Sequence, residues 1–319
     1  MSCGSRGGNG AASTAKEAEN SGRNASGRTD VKGRLLADIS TFDPFKTNDV
    51  TDQKFHYNIF DSLFYETREG KYEPAICTDY SFNTRGDVMT FTIRKGVKFH
   101  DGSILTPQDV AFSLNTAIAS KFTTKATSVM KGAEVKDGKV VLTLKYPFGP
   151  IIGCLVSSSC SIVPKAAYEA DPAGFAKKPI GSGPFTLGEI RTGETITLNA
   201  FPDYWRGAPA IKAVINKIIP DNTAALMALE AGEIDFMQPS QDYSDRQALV
   251  NNPKLTYYEA PQAVFFDIGF NCTKGLFTDK RLRQAVAYAV DKEDLILGAV
   301  NGMATPVEAA IVPMCPQYP

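Results

Sequence analysis

Phe91-Thr92-Ile93-Arg94-Lys95-Gly96-Val97-Lys98-Phe99-His100-Asp101-Gly102, followed by Leu105-Thr106-Pro107-Gln108-Asp109-Val110, compresses a strand, a reversal and a capped helix into one short stretch. Met89, Phe91 and Ile93 alternate with Thr90, Thr92 and Arg94, the period of two expected of a half-buried strand. Gly96 and Gly102 supply backbone freedom for the turns between. Thr106 is placed to cap the helix, Pro107 suits its first position, and Asp109 complements the positive end of its dipole. Val110, Leu114 and Ile118 then make one buried stripe.

The same reading extends outward. Toward the N-terminus, Arg34 to Asp38 has the pattern of a short strand, broken by Thr41-Phe42-Asp43-Pro44 because proline lacks the amide a central strand needs. A loop runs to Val50. Phe55, Ile59 and Leu63, with Phe60 and Phe64 beside them, predict a helix over Asp52 to Phe64 whose Asp, Lys and Asn face water. Toward the C-terminus, Asp137-Gly138 accepts the positive φ angles of a tight turn and joins Ala133 to Lys136 with Lys139 to Lys145. Phe185 to Ile190 and Thr195 to Asn199 pair around Arg191-Thr192-Gly193, and Ala213 to Ile219 is a further strand. Asp221 caps a helix that Gly232 ends. Ile234 to Met237, Leu255 to Tyr258 and Ala263 to Phe270 are expected as strands. Asp279 opens a helix with Leu282, Val286, Ala289 and Val290 on its apolar side. Strands and helices are mixed throughout, so the class is α/β or mixed α+β.

Composition limits the chemistry. Lys plus Arg total 34 against 35 for Asp plus Glu among 319 residues, which leaves no electrostatic footprint for nucleic acid. No apolar run approaches the roughly 20 residues of a membrane-spanning helix. Six cysteines and two histidines show no C-x-x-C pair and no metal-ligand spacing, so neither metal nor cofactor is expected. Cys154 and Cys160 are close enough to form a disulfide in an oxidising compartment, or to serve as small hydrophobes. A cysteine hydrolase using Cys77 or Cys154 with His100 needs a thiolate beside a base, and no segment brings them together in sequence. His100 beside Asp101 reads as a turn rather than a catalytic pair. Residues 1–33 are rich in Gly, Ser, Ala and Asn, with nothing apolar larger than Ala between Ser5 and Asp30. They are expected to form a flexible tether. Cys3, followed by Gly4-Ser5, resembles the lipid-modified first residue of a mature bacterial lipoprotein.

The opening stretch resembles the signature of the peptide and nickel class of bacterial extracellular solute-binding proteins, family 5. Gly181-Ser182-Gly183-Pro184-Phe185, Pro202-Asp203-Tyr204-Trp205-Arg206-Gly207, Ile219 to Thr223, Glu230 to Asp235 and Phe277 to Ala285 are similar to further segments of that family. From the residues alone, Trp205 suits core packing, and Pro184 spoils a phosphate cradle at Gly181 to Gly183. The resemblance implies a two-lobed periplasmic-binding-protein-like fold: lobe one over 34–262, with an appended subdomain at about 51–174, and at 263–319 the start of a lobe two incomplete in this chain. It implies no enzyme and no cofactor. The expected function is a substrate-binding component of an ABC importer that closes two lobes on an oligopeptide or dipeptide and delivers it to the permease. The protein would lie outside the cytoplasm, joined to the cell membrane through Cys3. Peptide is preferred over a nickel complex because peptides are the commoner ligand in the family and histidine is scarce. A peptide-sensing signalling receptor would share every motif. The loop residues Thr47, Asn48 and Asp49, and Gln262 and Phe265 on the crossing segment, are the implied ligand contacts. For Asn48 and Asp49, capping of the following helix is an equal alternative.

Overall fold

The computed structural model describes residues 29–67, 69–238, 243–259 and 266–307. In chain order the elements are β1 (Asp30–Leu35), α1 (Val50–Ile59), β2 (Phe64–Glu66), β3 (Tyr72–Pro74), β4 (Cys77–Phe82), β5 (Val88–Ile93), α2 (Pro107–Ala119) and α3 (Thr124–Thr127). They continue as β6 (Met130–Lys136), β7 (Lys139–Leu144), α4 (Ile151–Val156), α5 (Lys165–Ala170), α6 (Pro172–Phe175), β8 (Phe185–Arg191), β9 (Thr195–Ala200) and β10 (Ala213–Ile218). The last are α7 (Asn222–Glu230), α8 (Arg246–Asn251), α9 (Lys280–Ala289) and α10 (Lys292–Val300).

Two four-stranded sheets organise the chain. The first has the order β1-β10-β9-β8, with β1 parallel to β10 and the other neighbours antiparallel, so β8 runs in the same direction as β1. The second, β4-β5-β7-β6, is antiparallel throughout. α1, α5 and α6 bury Phe55, Ile59, Tyr168 and Phe175 against Leu35, Ile196 and Leu198 of the first sheet. The second core draws on residues from Leu63 to Ile162, among them Met89, Phe91, Val110, Leu114, Leu142 and Leu155. It is narrower than the 51–174 read as an appended subdomain, because α1, α5 and α6 pack with the first sheet. On α2, Leu114 belongs to one core and Ala117 to the other, so this helix binds them together.

The stretch that opens the sequence folds as its residues dictate. β5 alternates buried and half-buried side chains, and Thr106 with Asp109 forms a capping box at the start of α2. Asp109 also accepts the amide of Lys165 at 2.9 Å, which seats α5 on the same cap. Asp137 (φ 50°) and Gly138 (φ 74°) turn β6 into β7 as expected.

Several expectations need correction. β1 begins at Asp30, within the stretch read as tether, because ladder pairing with β10 orders these residues rather than side-chain burial. The Phe236 ring lies directly over Gly33 in that strand, where a Cβ would come within 2.4 Å of it. α1 ends at Ile59, where Phe60 turns extended; Leu63 and Phe64 stay buried but belong to the second core. The four-residue apolar repeat thus continued past the helix that it predicted. Asp52 does not face water: it is buried and accepts from the Ser40 amide at 3.0 Å and from its hydroxyl. Ile234 to Met237 makes only one parallel bridge, Phe236 to Gly33, and Leu255 to Tyr258 and Phe266 to Phe270 are irregular. Ala263 to Phe265 lies outside the described residues. No residue from Phe266 to Val307 is buried, so the apolar side of α9 is uncovered.

One half-buried carboxylate joins the two units. Asp61, just beyond α1, accepts from Trp205 Nε1 (2.9 Å), Ser182 Oγ (3.0 Å) and Tyr204 Oη (3.1 Å). The Arg94 guanidinium lies 4.4 Å from the centre of the Trp205 ring. Beside this junction, His100 accepts the Gly181 amide at Nδ1 (3.2 Å) and donates from Nε2 to the Gly183 carbonyl (3.0 Å). Gly183 in turn donates to the Ile59 carbonyl at 2.9 Å. A Cβ on Gly181 would lie 2.0 Å from that carbonyl oxygen, so these glycines serve close backbone approach rather than a phosphate.

Thr106→Ala, which removes the cap of α2, is expected to cost about 1 kcal/mol in urea unfolding, and an unchanged midpoint would show that Asp109 caps the helix alone. A second expectation concerns pH. Burial pushes Asp61 up from 3.8 to about 6, against the pull of its three donors, so the folded state binds that proton more tightly than the unfolded chain. Its contribution to stability therefore falls as pH rises from about 4 to about 6. Burial pulls His56 down from 6.5 to about 4, so its contribution is lost as pH falls through that interval; His100 is lowered in the same direction. The carboxylate and the imidazoles oppose one another. Asp61→Asn should leave the imidazoles unopposed and steepen the rise of stability between pH 4.5 and 6, by on the order of 1 kcal/mol per pH unit. Equal slopes in variant and parent would show that folding leaves the proton affinity of Asp61 unchanged.

Candidate functional site

In open α/β sheets the crevice outside the carboxyl ends of parallel strands is where ligands lodge, because the connecting loops diverge there. β1, β10 and the Phe236 bridge run parallel, so their carboxyl ends share one edge of the first sheet. α1 starts near that edge and ends at the other: Lys54 in its second turn meets Gln238, two residues past the Phe236 bridge, whereas Ile59 meets Gly183, just ahead of β8. The edge is thus formed by the loop from Leu36 to Asp49, the turn Ile219 to Asp221, and the segment Phe236 to Gln238.

The loop is held firmly. Phe42 and Phe45 are buried, and the Phe42 amide donates to the Ala176 carbonyl at 3.1 Å. Asp43, fully buried, accepts from Tyr168 Oη at 2.9 Å and pairs with Lys46 at 3.0 Å. Thr47 is also buried, and its hydroxyl accepts the Asp49 amide at 3.0 Å. Asp49 caps α1, accepting the amides of Thr51 (2.7 Å) and Asp52 (3.3 Å). These bonds, that from Thr51 foremost, hold its carboxyl below the usual range. Thr47 and Asp49 therefore spend their side chains locally. Asn48 is exposed and makes no side-chain hydrogen bond among the described residues. Of the three loop candidates it is the one whose amide is available.

The structure adds residues that the sequence reading passed over. Arg34 donates to the carbonyls of Ile219 and Pro220, both at 2.8 Å, and fixes the turn after β10. Lys54 Nζ donates to Gln238 Oε1 at 2.8 Å. Lys54 was legible only as a polar position on a helix face, since its partner lies 184 residues away. Gln262 and Phe265 on the crossing segment, and Cys3, lie outside the described residues.

Rival chemistry finds little support. Burial pushes the Cys77 thiol up to about 11 and Cys160 to about 12, the opposite of what a thiolate nucleophile needs. Both His100 ring nitrogens are engaged with backbone. Cys154 and Cys160 are unpaired thiols. Among the described residues no cluster of three or more His, Cys, Asp or Glu is placed to hold a metal, and no helix is long and apolar enough to cross a membrane.

Comparison with known proteins gives this arrangement a context. Residues 71–319 match the family described as bacterial extracellular solute-binding proteins, family 5 Middle. The oligopeptide-binding protein AppA of Bacillus subtilis is 36% identical over 236 residues, which cover 70% of this chain and 42% of that protein. The glutathione-binding protein GsiB of Salmonella choleraesuis is 27% identical over 289 residues, 89% of this chain and 56% of the relative. The chain thus spans about half the length of these relatives. The solved structure of Bacillus subtilis AppA in complex with a nonapeptide superposes with a TM-score of 0.79 at 27% identity, covering 91% of this chain and 59% of that one. With its mixed α/β fold and a matched segment reaching from β3 to the last residue, this chain belongs to the bacterial extracellular solute-binding proteins of family 5.

Proposed function

We propose that the protein captures a short peptide outside the cytoplasm and delivers it to the permease of an ABC importer. The observation that carries this reading is the 36% identity to an oligopeptide-binding protein, joined to a firmly held carboxyl edge that leaves Asn48 exposed. The glutathione-binding relative also takes a peptide, which favours a peptide over a metal complex. Both histidines are internal to the fold and neither is placed to serve as a ligand to a metal complex at that edge: His56 is buried, and His100 clamps Gly181 to Gly183.

In this proposal Asn48 touches the ligand through its side chain, while Thr47 and Asp49 shape the loop and offer backbone. Gln262 and Phe265 of the crossing segment complete the contact, and Cys3 carries a lipid that keeps the protein at the membrane. Capture works because a ligand touching both lobes favours the closed arrangement over the open one. No bond is made or broken.

Native mass spectrometry of the full-length gene product, purified without denaturant, should release short peptides, and Asn48→Ala should weaken their binding about tenfold while leaving the unfolding midpoint in place. Release of a metal chelate or another non-peptide solute in place of peptides would refute the peptide assignment. Fatty-acid labelling that persists in Cys3→Ser would refute the anchor.

A further inference from the structure

A lysine on an exposed helix face ordinarily ends in water. Lys54 does not: its ammonium is fixed by Gln238, a residue on the segment that extends the sheet beyond β1. That partner is neutral, and among the described residues no carboxylate pairs with this cation. The nearby acids are committed elsewhere. Asp49 is turned onto the Thr51 and Asp52 amides, and Asp52 is buried against Ser40. Arg34, on the same edge, is spent on two backbone carbonyls.

Exposed apolar side chains lie along the same helix face and on the neighbouring segment. Val50, one turn before Lys54, is 68% exposed, and Tyr57, one turn after it, is 54% exposed. Phe236, 48% exposed, packs over Gly33 on the sheet face that α1 also covers through Leu35. A cation positioned by a neutral partner and unpaired with any carboxylate among the described residues, on a face with exposed apolar groups, matches a ligand that brings a carboxylate together with apolar side chains.

We infer that Lys54, positioned by Gln238, is a specificity-determining contact that selects ligands bearing a carboxylate at this edge. The inference rests on the peptide-binding reading and adds to it that an acid of the peptide, C-terminal or side-chain, is held at this edge.

The test is calorimetry of the full-length protein with short peptides of one sequence, as free acid and as C-terminal amide, and with a Glu or a Gln at one position. The parent protein should prefer a carboxylate form by tenfold to a hundredfold, about what one charge-assisted hydrogen bond supplies. Lys54→Met should abolish the preference, and Lys54→Arg should keep it. Gln238→Glu, which sets a carboxylate of the protein's own on the ammonium, should also abolish it. Circular dichroism should be unchanged in all three variants, since both residues are on the surface. Equal affinity of the parent for acid and neutral forms, or a preference that survives Lys54→Met, would overturn the inference and leave the peptide reading intact. A parent protein that binds no peptide in either form would overturn both.

Discussion

The carboxylate of Asp61 is the interaction on which the rest of the structure depends. Drawing a carboxylate away from water disfavours its ionised form, and here donors from Trp205, Ser182 and Tyr204, each from a segment more than a hundred residues downstream of Asp61, offset that cost only in part. A carboxylate so placed demands all three partners at once. It therefore fixes where the end of α1, the turn before β8 and the turn after β9 must meet. The glycines at 181 and 183 follow from the same demand, because any side chain there would collide with the Ile59 carbonyl.

That fixed junction lies at one edge of the first sheet, and the carboxyl ends of β1 and β10 lie at the other. α1 spans the distance between them, with its C-terminal end locked to Gly183 and its N-terminal half presenting Val50 and Lys54, just after the exposed Asn48 of the loop. The loop before α1 is no less constrained: Asp43, Thr47 and Asp49 are consumed by internal bonds, and Phe42 and Phe45 are buried. Groups that are already satisfied have little freedom to reorganise, so this edge is preorganised.

The internal titrations show a related balance. Asp61 and the two histidines are all pushed by burial toward their neutral forms, and their effects on stability run in opposite directions across the same pH interval. The cancellation comes from placing acids and bases alike in low dielectric, not from pairing them.

The sequence by itself determined the local units. Alternation in β5, the cap at Thr106, the turn at Asp137-Gly138 and the order of the motifs were all legible, because each depends on residues within a few positions of one another. It placed Asp49 both as a ligand contact and as a helix cap, and the structure shows the side chain capping α1. Only the tertiary structure decided where α1 stops, that Asp52 is buried, that Asp30 to Gly33 form part of a strand, and that Lys54 has a partner. The end of α1, the strand at Asp30 to Gly33 and the partner of Lys54 rest on residues far away in the chain, such as Gly183, Ala213 and Gln238, and Asp52 rests on Ser40 across a loop; a one-dimensional pattern carries no record of which segment will lie alongside.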